Sequence, residues 1–382
     1  MVHVVLFVAS ATQSAIVPLL PDLSRLHHLT AATTGLLISA PGLATLAVSA
    51  PAGLIADRFG AKRVTVAATA LLAMGTLSQA LPWLPALLLG RLVFGLAYGV
   101  VWTTAVAWLA GAHESANSAT LGAVAASSAA GMAAGPGIGG LAAQWVGLGA
   151  PFLIVGTAAA AAAIALARQP AGRRGGADAR EVLRAMALVA PRHPAVLAGA
   201  VGLAVVGAVG GVTQLLVPLD LHRAGVSTAA TGLVFSAAAS FYVLVSGTVA
   251  RRGARLVTIG ATAVAALVMS LSLLPASLTS APIVLVAVLF ISTPPRAMIS
   301  TVTYPLATGS AVAAELSGGA VIGFLNGAWA IGLVLAPMLA GALQGAAGLG
   351  AGYLAAAIPG ALAAAWLLSR QPSRSPRLRL AA

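Results

Sequence analysis

The sequence predicts an all-α polytopic membrane protein whose twelve transmembrane helices form two pseudo-symmetric six-helix bundles. Of its 382 residues, 60% are hydrophobic and only 7% are charged, whereas a soluble domain carries about 25% charged residues. Twelve apolar runs reach roughly the 20 residues that a helix needs to cross the hydrocarbon core. The two halves of the chain also repeat a series of short motifs. These observations exclude a soluble globular fold and a disordered chain.

The apolar runs are predicted to be helices because every backbone amide inside lipid must be paired. They do not alternate apolar and polar residues, as barrel strands do. The twelve predicted spans are 3–21, 31–56, 64–81, 85–110, 116–145, 149–167, 195–219, 228–250, 256–274, 281–308, 316–345 and 350–369.

One connection is much longer than the others, with six spans before it and six after it. The prediction is an N-terminal six-helix bundle at 1–167, a cytoplasmic linker at 168–194, a C-terminal bundle at 195–369 and a basic cytoplasmic tail at 370–382. Residues 178–190 of the linker are predicted to form a short amphipathic helix on the membrane surface. The alternative is a plain basic linker.

The distribution of positive charge predicts the orientation. The net charge is +13, and sixteen of the twenty basic residues lie in the even-numbered connections and the C-terminal tail. Arg25 and Arg223 lie on the opposite side, and Arg91 and Arg296 lie inside spans. Because Lys and Arg remain in the cytoplasm during insertion, both termini are predicted to be cytoplasmic, in the plasma (cytoplasmic) membrane. The basic residues occur in short clusters between apolar runs, which excludes nucleic acid as a partner and leaves the lipid bilayer.

The two halves match at the ends of spans 1 and 7. Residues 12–35 and 213–232 share the same motifs in the same order. The matched residues include Gln13 with Gln214 and Asp22 with Asp220, and the fourth span of each half holds one arginine, Arg91 or Arg296. Parallel repeats of this kind are typical of transporters that bind their substrate at the repeat interface near the midplane. The repeat also indicates that span 1 is retained and is not a signal peptide, since no basic region precedes it.

The loop between spans 2 and 3 carries a signature. Its specified residues are Gly53, Asp57, Arg58, Gly60, Lys62 and Arg63. Glycines allow tight turns and close helix approach, and an aspartate can interact with a positive helix end. The pattern resembles the signature loop of the major facilitator superfamily at every specified position. The resemblance implies a loop that locks the two halves in one access state, although Arg251 replaces the aspartate in the second half.

Span 5 contains a glycine pattern made of Gly131, Gly135, Pro136, Gly139 and Gly140. Glycines at i, i+4 and i+8 form one small face that lets another helix approach closely, and the proline favours a kink. The pattern resembles the antiporter motif of that superfamily, which is typical of its exporters. Span 4 carries Arg91-x3-Gly95-x3-Gly99, which resembles a further motif of the superfamily.

Candidate residues of a substrate cavity come from the spans that line it in the resembled family. They are Gln13, Arg91, Gln214 and Arg296, with Trp102, Tyr242 and Asn326 as additions. An arginine inside a span costs about 2.5–3.5 kcal/mol on insertion scales, so it usually faces a cavity or a partner. The alternative for such an arginine is bonding to backbone carbonyls.

The function predicted from these residues is secondary active transport, by proton-coupled efflux of a small organic molecule (a drug or a metabolite) through alternating access. Proton relays in membranes need a carboxylate or histidine, and Asp22 and Asp220 are the candidates because no acid lies in mid-span. The deep arginines favour neutral or anionic cargo. A symporter or facilitator that imports a small organic anion remains an alternative, and a non-transporting sensor a remote one. An enzyme is not expected, since no H-E-x-x-H, G-x-S-x-G or ATP-binding loop occurs. No cofactor or metal is expected, and we expect a monomer.

Overall fold

The computed structural model describes residues 1–112, 118–169, 193–252, 257–312, 318–348 and 350–370. These residues form twelve membrane-length helical segments, one for each predicted span, and ten of them are both long and apolar enough to cross a membrane. The segments are α1 (Val2–Leu26), α2 (Ala31–Phe59), α3 (Ala61–Ser78), α4 (Leu84–Ala112), α5 (Ser118–Trp145), α6 (Ala150–Ala167), α7 (Pro194–Arg223), α8 (Thr228–Arg252), α9 (Ile259–Leu278), α10 (Pro282–Val312), α11 (Gly318–Ala347) and α12 (Ala351–Ser369).

Two helices are interrupted at prolines, which changes their predicted bounds. α1 consists of Val2–Ala15, a 3-10 turn at Val17–Leu19 and a further helix at Leu20–Leu26. It therefore passes its predicted end at residue 21, since proline is tolerated in the first turn of each new segment. α9 breaks in the same way into Ile259–Leu271 and Leu274–Leu278.

The helices pack as two similar bundles. In the first bundle α1 packs on α5, α2 and α3 pack on α4, and α3 packs on α6. In the second bundle α7 packs on α11 and α10, and α9 packs on α12. The α1–α5 and α7–α11 pairs occupy corresponding places in the repeat. The bundles meet chiefly through two further pairs, α5 with α8 and α2 with α11, and less extensively where α1 contacts α7 and α8.

Among the described residues, the bundles are in contact at one end and apart at the other. We call the end that carries loops 27–30, 146–149 and 224–227 the closed end, and the end that carries Gly60 and Arg168 the open end. All buried residues of α8 lie at positions 229–238, near the closed end, and none of its residues from 239 to 252 is buried. Gly247 of α8 and Gly327 of α11, toward the open end, have no neighbouring atom where a Cβ would lie. The separation creates a space between the bundles that opens toward the open end.

Several predictions lie outside the described residues. These are the surface helix at 178–190, most of the linker and nearly all of the tail, because 170–192 and 371–382 are not described. The domain boundaries at those points stay predictions.

Candidate functional site

The glycine face of α5 packs on α1. A Cβ built on Gly131 would lie 2.9 Å from the carbonyl carbon of Phe7, and one on Gly139 would lie 2.9 Å from that of Ala15. Gly135 lies between them and meets the carbonyl of Ala11 at 3.1 Å in the same way. Real Cβ atoms essentially never approach within 3.0 Å, so only glycine permits this contact between two helix backbones inside the first bundle.

The other face of α5 packs on α8, which belongs to the opposite bundle. Pro136 cannot donate a helical hydrogen bond and disturbs the turn around it. The N–H of Gly137, the next residue, donates to Oγ of Ser236 on α8 over 2.8 Å. A Cβ on Gly140 would lie 2.5 Å from the carbonyl oxygen of Thr228 and 3.0 Å from Cα of Gly232. The predicted antiporter motif therefore lies at a junction of three helices, with one face on each bundle.

The first turn of α8 receives two of its polar partners from the first bundle. The hydroxyl of Thr228 donates to Oδ2 of Asp22 over 2.6 Å, and the N–H of Ala229 donates to Oε1 of Gln144 over 2.9 Å. Asp22 also accepts from Arg25 over 2.7 Å. Because the first N–H groups of a helix have no partner within it, side chains from another element can cap them. Here that capping crosses the boundary between the bundles.

The second contact between the bundles joins α2 to α11, also at the closed end. The hydroxyl of Ser39 donates to the carbonyl of Val334 over 2.8 Å. A Cβ on Gly35 would lie 2.5 Å from the carbonyl oxygen of Pro337, and Gly341 lies in similar contact with Ala31. At both of these contacts the helix backbones lie close together. A few hydrogen bonds, each with at most one charged partner, also join the bundles there.

Arg91 lies in the interface between α4 and α2. It has no exposed surface, and its Nε donates to the carbonyl of Leu37 over 3.4 Å. Pro41, four residues further along α2, has no N–H with which to bond that carbonyl. Gly95, one turn along α4 from Arg91, packs on Pro41 itself. The arrangement resembles the backbone-bonding alternative of the sequence analysis, and the assignment of Arg91 to the substrate cavity stays a prediction.

Arg296 has a different environment. Its guanidinium carbon lies 4.9 Å from the centroid of the Tyr242 ring on α8, and the side chain is half-buried. Its Nη1 lies 4.0 Å from the place where Gly210 of α7 would carry a Cβ. Arg296 forms no hydrogen bond or ion pair with the residues that the structure describes. The pair therefore offers a cation stacked on an aromatic ring between α7, α8 and α10.

The three predicted amides are distributed along the helices. Gln13 and Gln214 are half-buried on α1 and α7, and Oε1 of Gln13 is enclosed without a partner in the described part of the chain. Asn326 is exposed and accepts a hydrogen bond from the Tyr304 hydroxyl over 2.6 Å. Its position lies toward the open end of α11, more than five helical turns from the end of that helix at Ala347.

Asp220 lies in a buried polar cluster within the second bundle. Its carboxylate accepts from the Tyr353 hydroxyl over 2.9 Å, from Arg223 over 2.7 Å and from Gln344 over 3.4 Å. Only 4% of its side chain is exposed, against 18% for Asp22. The two matched aspartates therefore differ, because only Asp22 bonds to the opposite bundle.

The signature loop lies at the open end. Gly53 and Asp57 fall within α2, but their surroundings are outside the described part. Gly60 separates α2 from α3 with φ of +89°, which favours glycine, while Arg58 and Arg63 are exposed. Lys62 donates to the carbonyls of Ala167 (3.0 Å) and Gln169 at the C-terminal end of α6. A cation there satisfies the last carbonyls of the helix and complements its dipole.

Sequence reasoning missed three residues that take part in these contacts, namely Gln144, Ser236 and Tyr353. A polar amide in an apolar span was a signal for Gln144, since a buried amide needs a partner. The partners of the other two hydroxyl groups depend on which helices become neighbours. No group of three or more potential metal ligands occurs in the described part of the chain.

The comparisons with known proteins agree with this architecture. The family model of the Major Facilitator Superfamily matches residues 2–318. A comparison with curated protein sequences gives no significant match.

Three solved structures illustrate the similarity of the fold. A bacterial homolog of the human lysosomal transporter Spinster, in an inward-facing and unoccupied conformation, has a TM-score of 0.74 and 16% identity and covers 98% of this chain and 97% of its own. The nucleoside transporter NupG has a TM-score of 0.74 and 15% identity, covering 97% and 99% of the two chains. A D-xylose-proton symporter has a TM-score of 0.72 and 16% identity, covering 97% and 96%. With the fold of multi-pass transporters and a family match over most of its length, the chain belongs to the Major Facilitator Superfamily.

Proposed function

We propose that this chain is a secondary active transporter that exports a small organic molecule by proton-coupled alternating access. The observation that carries the proposal is the position of α5 between the bundles, with Gly139 against α1 and Gly140 against α8. Such a contact is close but holds few interlocked side chains. The bundles can therefore separate at the closed end and approach at the open end without repacking either core, as rocking around a midplane site requires.

The direction of transport rests on the glycine pattern of α5, which resembles the antiporter motif of exporters. A symporter or facilitator that imports a small organic anion is the second candidate, and Arg296 is the observation that favours it. Both candidates use the same space between the bundles. They differ in whether cargo and proton move in opposite directions or in the same direction.

Asp22 is our candidate for proton coupling, ahead of Asp220. Its carboxylate accepts a hydrogen bond from Thr228 of the opposite bundle. A proton on Asp22 would remove one charge-assisted contact that exists only while the closed end is closed. The bonds of Asp220 lie within the second bundle, so its protonation would act on the closed end only indirectly.

The orientation is part of the proposal. Sixteen basic residues lie on one side and two on the other, which favours an orientation in the plasma membrane with the open end facing the cytoplasm. We also propose that the two bundles, joined by the linker at 168–194, work as a monomer.

The test is a flux measurement in inverted membrane vesicles that contain a proton-sensitive dye. After the vesicles are acidified inside, an exported substrate should release protons and restore the fluorescence. We expect Asp22→Asn to abolish substrate-dependent proton release, while Asp220→Asn, the matched control, reduces it less. Proton release that occurs only when the substrate is loaded inside the vesicles, so that both leave together, would favour the symporter. The absence of any substrate-dependent proton or substrate flux across a broad panel would refute transport.

A further inference from the structure

Arg296 is placed in the middle of the second bundle. It lies fourteen residues beyond Pro282, where α10 begins, or about 21 Å along a helix that rises 1.5 Å per residue. Tyr242 lies fourteen residues beyond the start of α8, at the same depth. Arg91 lies only seven residues beyond the start of α4, about 10 Å along it. The two arginines that the repeat pairs by span therefore lie at different depths.

The charge of Arg296 is uncompensated among the described residues. Asp22 and Asp220 lie in the last turns of α1 and α7, and each is already paired with an arginine of its own helix at 2.7 Å. Asp57 lies near the opposite end of α2. A cation at this depth is costly unless it faces water, a partner or a ligand. Arg91 bonds to the carbonyl of Leu37 through Nε, while its Nη1 and Nη2 are enclosed without a partner in the described part of the protein, and the side chain has no exposed surface that a ligand could reach. Arg296 is half-buried and has no such bond in the described part of the protein.

The surroundings of Arg296 leave its donors free for a ligand. The Tyr242 ring lies under the guanidinium carbon but accepts no conventional hydrogen bond, so the N–H groups of the planar fork keep their capacity to donate to a ligand. Gly210 provides room for the guanidinium on the α7 side. Gln214 follows Gly210 by four residues and so lies on the same face of α7, one turn nearer the closed end. Arg296, Tyr242 and Gln214 together present a planar fork, a phenol and an amide.

This set of groups selects for a particular charge. A guanidinium fork pairs with a carboxylate through two parallel hydrogen bonds. A dianionic ligand would need a second free cation at this depth, and a cationic ligand would need a carboxylate. The described spans offer neither. We propose that Arg296, with Tyr242 and Gln214, binds the carboxylate of a small organic monoanion. The inference rests on the proposed function, whose cargo class it names.

The test measures ligand-induced thermal stabilisation of the purified protein in detergent. The probes are sets with a shared skeleton, such as benzoate, benzamide and benzylamine, and hexanoate, hexanamide and hexylamine, with inorganic phosphate as the dianion. We expect stabilisation by at least one carboxylate and none by its amide, its amine or phosphate. Arg296→Gln should weaken apparent carboxylate binding by about 10-fold to 100-fold, the range for a hydrogen-bonded charge. Arg296→Lys should recover binding only in part.

Two further variants separate binding from folding. Tyr242→Leu removes the stacking ring while Arg296 stays, and should also weaken carboxylate binding. Arg370→Gln is the matched control, because Arg370 also lies over an aromatic ring, 4.8 Å from the Trp366 centroid at the end of α12, and its loss should leave the apparent affinity unchanged. If Arg296→Gln does not fold, Arg296→Lys and Tyr242→Leu decide the question.

Three results would overturn the inference. They are stabilisation by amines or amides in preference to carboxylates, carboxylate binding that is unchanged in the Arg296 and Tyr242 variants, and no stabilisation by any carboxylate. Flux in proteoliposomes separates this inference from the proposed function. Carboxylate binding without flux would support the anion site and refute transport. Flux of a cation without carboxylate binding would support transport and refute the anion site.

Discussion

Two adjacent glycines of α5 should respond very differently to the same substitution. A Cβ on Gly140 would lie 2.5 Å from the carbonyl oxygen of Thr228, whereas ordinary van der Waals contact begins at 3.4 Å. In Gly140→Ala the two bundles must therefore separate by about 0.9 Å, and overpacking of this kind costs about 1–3 kcal/mol. Because this contact exists only while the closed end is closed, the cost falls on that access state. The equilibrium between the access states should shift by about 5-fold to 150-fold toward the state in which the bundles are separated at this end.

The assay uses a single cysteine, since the chain has none. Val334→Cys places the reporter in the other contact between the bundles, where Val334 is 2% exposed. A water-soluble maleimide should label it about 5-fold faster or more when Gly140→Ala is added. The controls are Gly139→Ala and Gly345→Ala in the same background.

The two controls isolate the cause. Gly139 packs on Ala15 of its own bundle, so its substitution should lower the melting temperature and leave the labelling rate unchanged. Gly345 of α11 has no atom within 4 Å of its missing Cβ, so Gly345→Ala should change neither. The reasoning is refuted if folded Gly140→Ala protein is labelled at the parental rate, or if Gly139→Ala accelerates labelling equally.

Three other predictions follow from the same description. Asp57→Asn should reduce transport strongly while the protein still inserts, if the charge of the signature loop biases the access states as its resemblance to the superfamily loop implies. Normal flux at normal expression would show that the loop only fixes the topology. Arg91→Gln should lower thermal stability by about 1–3 kcal/mol, as expected when a buried carbonyl loses its partner. A stable variant that has lost substrate affinity would instead indicate that Arg91 belongs to the substrate cavity. An impermeant maleimide should label Leu278→Cys only from outside the cell and Ser369→Cys only from inside, and the reverse pattern would overturn the orientation.

The sequence by itself determined the helices and their number. Inside lipid a segment satisfies its backbone hydrogen bonds locally, so the length of an apolar run is enough to predict a helix. The small face of α5 was equally readable, since the spacing of Gly131, Gly135 and Gly139 follows the helical repeat. The helix ends near Pro18 and Pro21 were not, because a proline can either end a helix or begin its next segment.

Only the tertiary structure decided what each polar side chain contacts. Arg91 and Arg296 look equivalent in the sequence, but one meets a carbonyl on α2 and the other meets a ring on α8. Asp22 and Asp220 also match in the repeat, but only Asp22 bonds across the bundles. These partners lie tens to hundreds of residues apart along the chain, so no local pattern encodes them. They depend on the rotation of each helix about its axis and on which helices pack together, and those are set by the packing of the whole bundle.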